Sequence, residues 1–211
     1  MAFDTWLAYA IAATIIVIIP GPTILLVVAQ SVRHGSRATV PLTLGVMCGD
    51  AVALVMSLLG LGAILATSAV LFTAVKWVGA AYLIYLGISM WRSPVQENSK
   101  NVTQQEPLPR RSRALFMHAF VVTTFNPKGI VFFMAFLPQF VNPAGDVVWQ
   151  LVILGSTFVV IGTINAALYA VFAGALKKFL ARESAQRWFN RGGGTALIGA
   201  GVFTAALERN A

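Results

Sequence analysis

Two long apolar runs in this chain are each broken near their middle by a cluster that an uninterrupted helix does not tolerate. The first is Pro20-Gly21-Pro22, inside residues 6–32; the second is Asn126-Pro127-Lys128, inside residues 114–140. Proline has no N–H and its ring collides with the preceding turn, so a helix that carries it kinks or breaks. At membrane depth, broken backbone persists only where protein buries it or where it lines a cavity. Breaks at matching places in two halves of one chain are the sequence mark of a transporter's substrate site.

Composition decides that the setting is a bilayer. Of 211 residues, 58% are hydrophobic and 10% are charged, against about 25% charged in an average soluble domain. Besides the two broken runs, residues 40–66, 70–91, 147–176 and 188–207 are each long enough to cross a membrane, for which about 20 suffice. The expectation is an all-α integral membrane protein of six spans, with spans 1 and 4 broken at their prolines. The first run has no basic residue before it and no small-residue cleavage site, so it reads as a retained span and not a signal peptide.

A net charge of +8 would suggest nucleic acid on a soluble protein, but its distribution here gives a different answer. The connections after spans 1, 3 and 5 hold twelve of the fifteen Lys and Arg residues: Arg33 and Arg37; Arg92, Lys100, Arg110, Arg111 and Arg113; Lys177, Lys178, Arg182, Arg187 and Arg191. Short loops rich in Lys and Arg stay in the cytoplasm. Both termini are therefore expected outside, with lipid and not nucleic acid as the partner. The stretch 177–191 mixes these cations with Phe179, Leu180, Trp188 and Phe189, the pattern of a short helix lying on the membrane surface. The single cysteine, Cys48, excludes an internal disulfide and a dithiol relay.

Residues 93–113 form the long polar stretch, with three prolines, and read as a cytoplasmic linker. They divide the chain into 1–92 and 114–211, three spans each. Superposing the two breaks gives an offset of 106 residues, at which Gly49-Asp50 falls on Gly155-Ser156. With a slightly larger offset, Gly79 to Gly87 matches Gly193 to Gly201. An odd number of spans per half puts the halves in opposite orientations, so the expectation is an inverted repeat.

Two charges lie deep in these runs. Asp50 is about eleven residues into span 2, roughly 16 Å along a helix, too far for its short side chain to reach water. A carboxylate at a helix centre costs about 2.5–3.5 kcal/mol on insertion scales, so it faces the bundle interior or a wet cavity. There it is a candidate proton acceptor. Lys128 is deeper, roughly 20 Å from either end of span 4, beyond the reach of snorkelling. It needs a carboxylate, carbonyls or water inside the protein, and a pairing with Asp50 is one expectation. A permanent structural ion pair is the alternative.

Pro20, Pro22 and Pro127 also remove the bonds that the carbonyls of Ile16, Ile18 and Thr123 would otherwise accept, freeing them for an ammonium. The helix restarting after each break offers unpaired N–H groups and a positive dipole end to a carboxylate, and Lys128 adds charge to that preference. The two breaks together suit a zwitterionic amino acid. The alternative is that the prolines merely kink packed helices. Asn126 and Thr23 are candidates to cap the restarting half-helices or to touch substrate. Asn165 reads as helix–helix glue, and His118 as structural. No metal-ligand cluster, phosphate loop or nucleophile triad occurs in the sequence, so neither an enzyme nor a cofactor is expected.

Pro20-Gly21-Pro22-Thr23, Arg33-His34-Gly35-Ser36-Arg37, Gly45 to Asp50, Gly79 to Gly87, Phe125-Asn126-Pro127-Lys128-Gly129 and Phe136 to Phe140 follow one another in order. This ordered set resembles the LysE/RhtB family of amino-acid exporters over almost the whole chain, and the RhtB (homoserine/threonine) branch more than the basic amino-acid branch. The resemblance implies a bacterial inner-membrane exporter of amino acids or close derivatives, driven by the proton gradient and able to form oligomers such as dimers. It carries over to Pro20, Gly21, Pro22, Asp50, Asn126, Pro127 and Lys128; at position 23 the family pattern often has Asn where this chain has Thr. Rival readings are a membrane scaffold without transport, which has no use for a buried Asp and Lys, and a cadmium-type metal exporter, which lacks its Cys/His/Asp cluster here. A thiol–disulfide carrier needs a second cysteine.

Overall fold

The computed structural model describes residues 1–67, 69–93, 111–142, 144–175 and 183–206, apart from the side chains of 63–67, 69, 71, 72 and 76. Most of the 93–113 linker, the first part of 177–191 and the last residues lie outside the described set.

The chain breaks where its prolines say it must. Helix α1, Phe3–Ile18, stops before Pro20, and α2, Pro22–His34, restarts with its proline in the first turn, where the missing N–H costs nothing. Gly35, at φ +65°, closes α2 and admits a 3-10 turn, Gly35–Ala38, leading to α3, Thr39–Thr67. Helix α4, Ala69–Arg92, follows. The second broken run begins as α5, Ser112–Thr124, and resumes as α6, Pro127–Val131. The two parts meet at 42°. Beyond α6 the run does not continue as a plain α-helix: Phe132–Phe136 is a π-turn and Leu137–Phe140 a 3-10 turn. Helices α7, Val147–Val171, and α8, Glu183–Ala206, complete the described chain.

The described part of the expected surface helix is a correction. Glu183 to Arg191 forms the opening turns of α8 without interruption, tied by an Arg187–Glu183 pair at 3.2 Å. A Glu and an Arg four apart support helix growth, so residues 183–191 are continuous with α8 and not a separate short helix.

Three described helical stretches are long and apolar enough to cross a membrane, Pro22–Gly62, Thr73–Arg92 and Val147–Val171, and the bent pair α5–α6 makes a fourth. Helix α1 is apolar but shorter, because the break cuts its run in two. The outer surface agrees: Leu59 is 66% exposed, Val78 69% and Val148 71%. A soluble protein does not leave so much contiguous apolar surface in water.

Small residues set the packing. Helices α4 and α8 cross antiparallel and nearly touch: a Cβ on Gly87 would stand 2.5 Å from Gly194 O, and one on Gly201 would stand 2.7 Å from Ala80 O. Small residues of this kind let membrane helices approach closely. Helices α3 and α5 run parallel, with Gly45 against Phe116 and Ala119 and Gly49 against Thr123. Helix α7 runs antiparallel to α3, with Gly155 on Leu54, and parallel to α1, where Trp6 Nε1 donates to Thr157 Oγ1 at 3.0 Å. Interchanging the first and second halves maps these contacts onto one another: α1 on α7 corresponds to α5 on α3, while α3–α7 and α4–α8 map onto themselves.

Two apolar layers flank the breaks. One holds Tyr9, Phe132, Phe133, Phe136, Phe140 and Phe158, with Phe133 and Phe158 edge to face at 4.7 Å. The other holds aliphatic and small residues of α2, α3, α5 and α7, among them Val27, Leu42, Leu115, Ala119 and Ala170.

Candidate functional site

Between these layers lies a cavity of about 50 Å³. Ile16, Val17 and Ile19 enter it from the end of α1, Gly21 and Thr23 from the first break, Asn126, Lys128 and Gly129 from the second. Asp50 reaches it from α3, and Phe158, Gly162 and Asn165 from α7. The two sequence breaks therefore do meet, with both deep charges on the cavity wall. Of the candidate site residues, Gly21, Thr23, Asp50, Asn126 and Lys128 line it directly. Pro20, Pro22 and Pro127 shape the backbone around it.

The frayed end of α1 is the centre of this site. A helix terminus leaves four carbonyls without intrahelical donors, and here each receives a side chain from elsewhere. Lys128 Nζ donates to Ile16 O at 2.5 Å and to Ile19 O at 2.7 Å. Asn165 Nδ2 donates to Val17 O at 3.1 Å, and the Tyr169 hydroxyl to Ile18 O at 2.8 Å. The expectation that freed carbonyls accept an ammonium holds for Ile16, and the ammonium is the protein's own. Ile18 O, freed by Pro22, is taken by a phenol. Thr123 O, freed by Pro127, takes the backbone N–H of Asn126 at 3.1 Å.

The expected Asp50–Lys128 pairing is not made. Among the described residues the ion pair within 4.0 Å is the exposed Arg187–Glu183, and no protein hydrogen bond reaches the Asp50 carboxyl. With its ammonium on two carbonyls, Lys128 is held on the α1 side of the cavity. Asp50 packs instead against Gly162, where a Cβ would lie 2.8 Å from its Oδ2.

The second break closes on itself. Asn126 Oδ1 accepts from Lys128 N at 3.1 Å, so the expected cap is present. That cap occupies an N–H that the sequence reading left for a substrate carboxylate, and α6 passes into the π-turn after five residues. Thr23 does not cap α2, whose N-cap is Gly21 without a side-chain bond. Its hydroxyl instead receives Asn126 Nδ2 at 3.1 Å and lies 3.4 Å from Thr123 Oγ1, tying the two breaks together. His118 and Cys48 are half-buried on α5 and α3, off the cavity wall.

Sequence reasoning missed Tyr169, Gly162 and Phe158. Their signal was available: Phe158, Gly162, Asn165 and Tyr169 recur every three or four residues, which places them on one face of α7.

An apolar exterior, with two helix breaks meeting at a cavity that carries an Asp and a Lys, is the arrangement of a polytopic membrane protein. The LysE type translocator model matches residues 14–207. The chain belongs to that family. It is 31% identical over 208 residues to the homoserine/homoserine lactone efflux protein of Salmonella typhimurium, covering 99% of both chains. It is 32% identical over 169 residues to the leucine efflux protein of an Enterobacter species, covering 79% of this chain and 78% of that one. An uncharacterized membrane protein of Vibrio cholerae is 31% identical over 99% of this chain and 100% of its own length. No solved structure matches.

Proposed function

We propose that the protein exports amino acids or close derivatives across the bacterial inner membrane by exchange with protons, binding a zwitterion in the cavity between the two breaks. The observation that carries this reading is the set of four helix-end carbonyls that accept from side chains of other segments, with Asp50 on the same wall and, among the described residues, no hydrogen bond to its carboxyl. Backbone acceptors for an ammonium and a carboxyl open to the cavity suit a zwitterion exchanged for protons. The efflux names of the two relatives agree with this class of cargo.

The architecture in this reading is six spans in two inverted repeats, 1–92 and 114–211, joined by the linker 93–113, with both termini outside. The mutual mapping of contacts between the halves supports it, as does the alternation of helix directions. Asp50 takes a proton entering from outside, which removes the negative charge that faces the substrate's ammonium across the cavity and releases cargo outward. Loss of that proton inward restores the site. The two apolar layers are the barriers that open alternately.

The test is export from reconstituted vesicles under an imposed pH gradient, with labelled homoserine and leucine as cargo. The wild type moves labelled cargo against its concentration only with the gradient present, and Asp50→Asn abolishes that gradient-driven part. Undiminished gradient-driven export by Asp50→Asn would remove Asp50 from the mechanism.

A further inference from the structure

The place best suited to a substrate's ammonium is filled by the protein's own side chain. Lys128 Nζ covers Ile16 O and Ile19 O, the two carbonyls of the α1 end that Asn165 and Tyr169 leave open. A lysine head and the α-ammonium of an amino acid carry the same charge and the same three N–H donors. The cavity beside Lys128, about 50 Å³, has room for a few waters, each needing roughly 10–15 Å³ of such space. An ammonium that is to reach the Ile16 and Ile19 carbonyls must first displace the group that covers them, and Lys128 is the longest flexible side chain on that wall. Its stem runs beside the first break, where a Cβ on Gly21 would sit 3.7 Å from Lys128 Cδ.

We infer that Lys128 is a tethered stand-in for the substrate's ammonium: cargo displaces it from the Ile16 and Ile19 carbonyls, and it returns when cargo leaves. This deepens the export reading and rests on it. The exchange balances, because one ammonium replaces another on the carbonyls, and the displaced lysine meets the carboxylate that arrived with the cargo. A zwitterion completes this exchange. A bare carboxylate cannot take the carbonyls, and a quaternary ammonium has no N–H to offer them. The lysine also gives the empty carrier a closed site, so it can return across the membrane without exposing the two carbonyls of Ile16 and Ile19.

The sign of one substitution separates this role from simple carboxylate binding. In purified protein held in lipid nanodiscs, Lys128→Met uncovers the two carbonyls. n-Butylammonium then raises the thermal midpoint of Lys128→Met by about 2–4 °C. It leaves the wild type unmoved, and tetramethylammonium moves neither. An equal response of wild type and variant, or none in the variant, overturns the inference. Should Lys128→Met fail to fold, Lys128→Leu, which also lacks a donor, is the second variant, with the same expected and overturning outcomes. On the wild type itself, homoserine speeds acylation of Lys128 by an amine-reactive reagent, followed by mass spectrometry. Homoserine binding measured by calorimetry with no change in acylation rate also overturns it. If butylammonium stabilises the variant but no amino acid binds the wild type, the ammonium subsite stands and the export reading falls.

Discussion

Gly162→Ala tests whether the position of Asp50, and not merely its presence, matters for transport. The new Cβ would lie 2.8 Å from Asp50 Oδ2, where ordinary contact begins at 3.4 Å. The carboxyl must retreat by about half an ångström, and it sits at the end of a short side chain with cavity on its other side. Turning it off its rotamer costs about 0.5–1.5 kcal/mol. Replacing Gly by Ala inside a helix returns about 0.5–1 kcal/mol. The two nearly cancel, so folding stability changes by less than about 1 kcal/mol, or a thermal shift within about 4 °C. Function need not cancel in the same way. Where a reacting group must meet its partner, a displacement near 1 Å can cost about 10²-fold. Gradient-driven export from vesicles should fall by about ten- to a hundredfold while the protein melts normally. Gly199→Ala in α8 is the control: nothing lies within 4 Å of its Cβ, so export and melting both stay near wild type. Wild-type export by Gly162→Ala, at normal reconstitution efficiency, would refute the claim that Asp50 acts from its present position.

Three further outcomes follow from the same geometry. Tyr169→Phe strips Ile18 O of its donor, which costs about 1–3 kcal/mol for a buried acceptor left unpaired; the thermal midpoint should drop by several degrees and recover on reversion alone. Gly87→Ala places a Cβ 2.5 Å from the backbone of Gly194, which cannot yield like a side chain, so α4 and α8 separate at a cost of about 1–3 kcal/mol, read by thermal unfolding in detergent. For orientation, alkaline phosphatase fused after Ala211 should be active and a green fluorescent protein fused there dark; the reverse result would invert the proposed topology.

How much of this was legible depended on whether a feature is local. The breaks at Pro20 and Pro127 were, because a missing N–H acts on the residue four before it whatever the tertiary structure. The depth of Asp50 and Lys128 was legible too, from counting along apolar runs. Partners were not. Lys128 has four methylenes of reach, and the choice between Asp50 and the α1 carbonyls is made by where α1 ends in space. The bonds from Asn165 and Tyr169 depend on α7 lying parallel to α1, which no local pattern states. The π-turn at Phe132–Phe136 was equally hidden, since its phenylalanines are as apolar as those of a regular helix. The first turns of α8 were misread because Lys, Arg and aromatic residues fit a surface helix and a span's end alike.

The two breaks differ in how their freed carbonyls are satisfied. At the second, the freed Thr123 O is satisfied by the backbone of Asn126, and Asn126 caps α6. The carbonyl freed there is met by its own segment and not by a side chain from another helix. At the first, the freed carbonyls depend on three side chains carried by two other segments. A helix end held in that way is stable only while those segments keep their places. If α7 or the second break shifts, Val17 O, Ile18 O or Ile16 O loses its donor, and each unpaired carbonyl costs about 1–3 kcal/mol. Water or an ammonium from the cavity can refund that cost. Opening of the site and binding of a donor are therefore linked at the end of α1, and the first break, not the second, is where cargo can bias the carrier between its states.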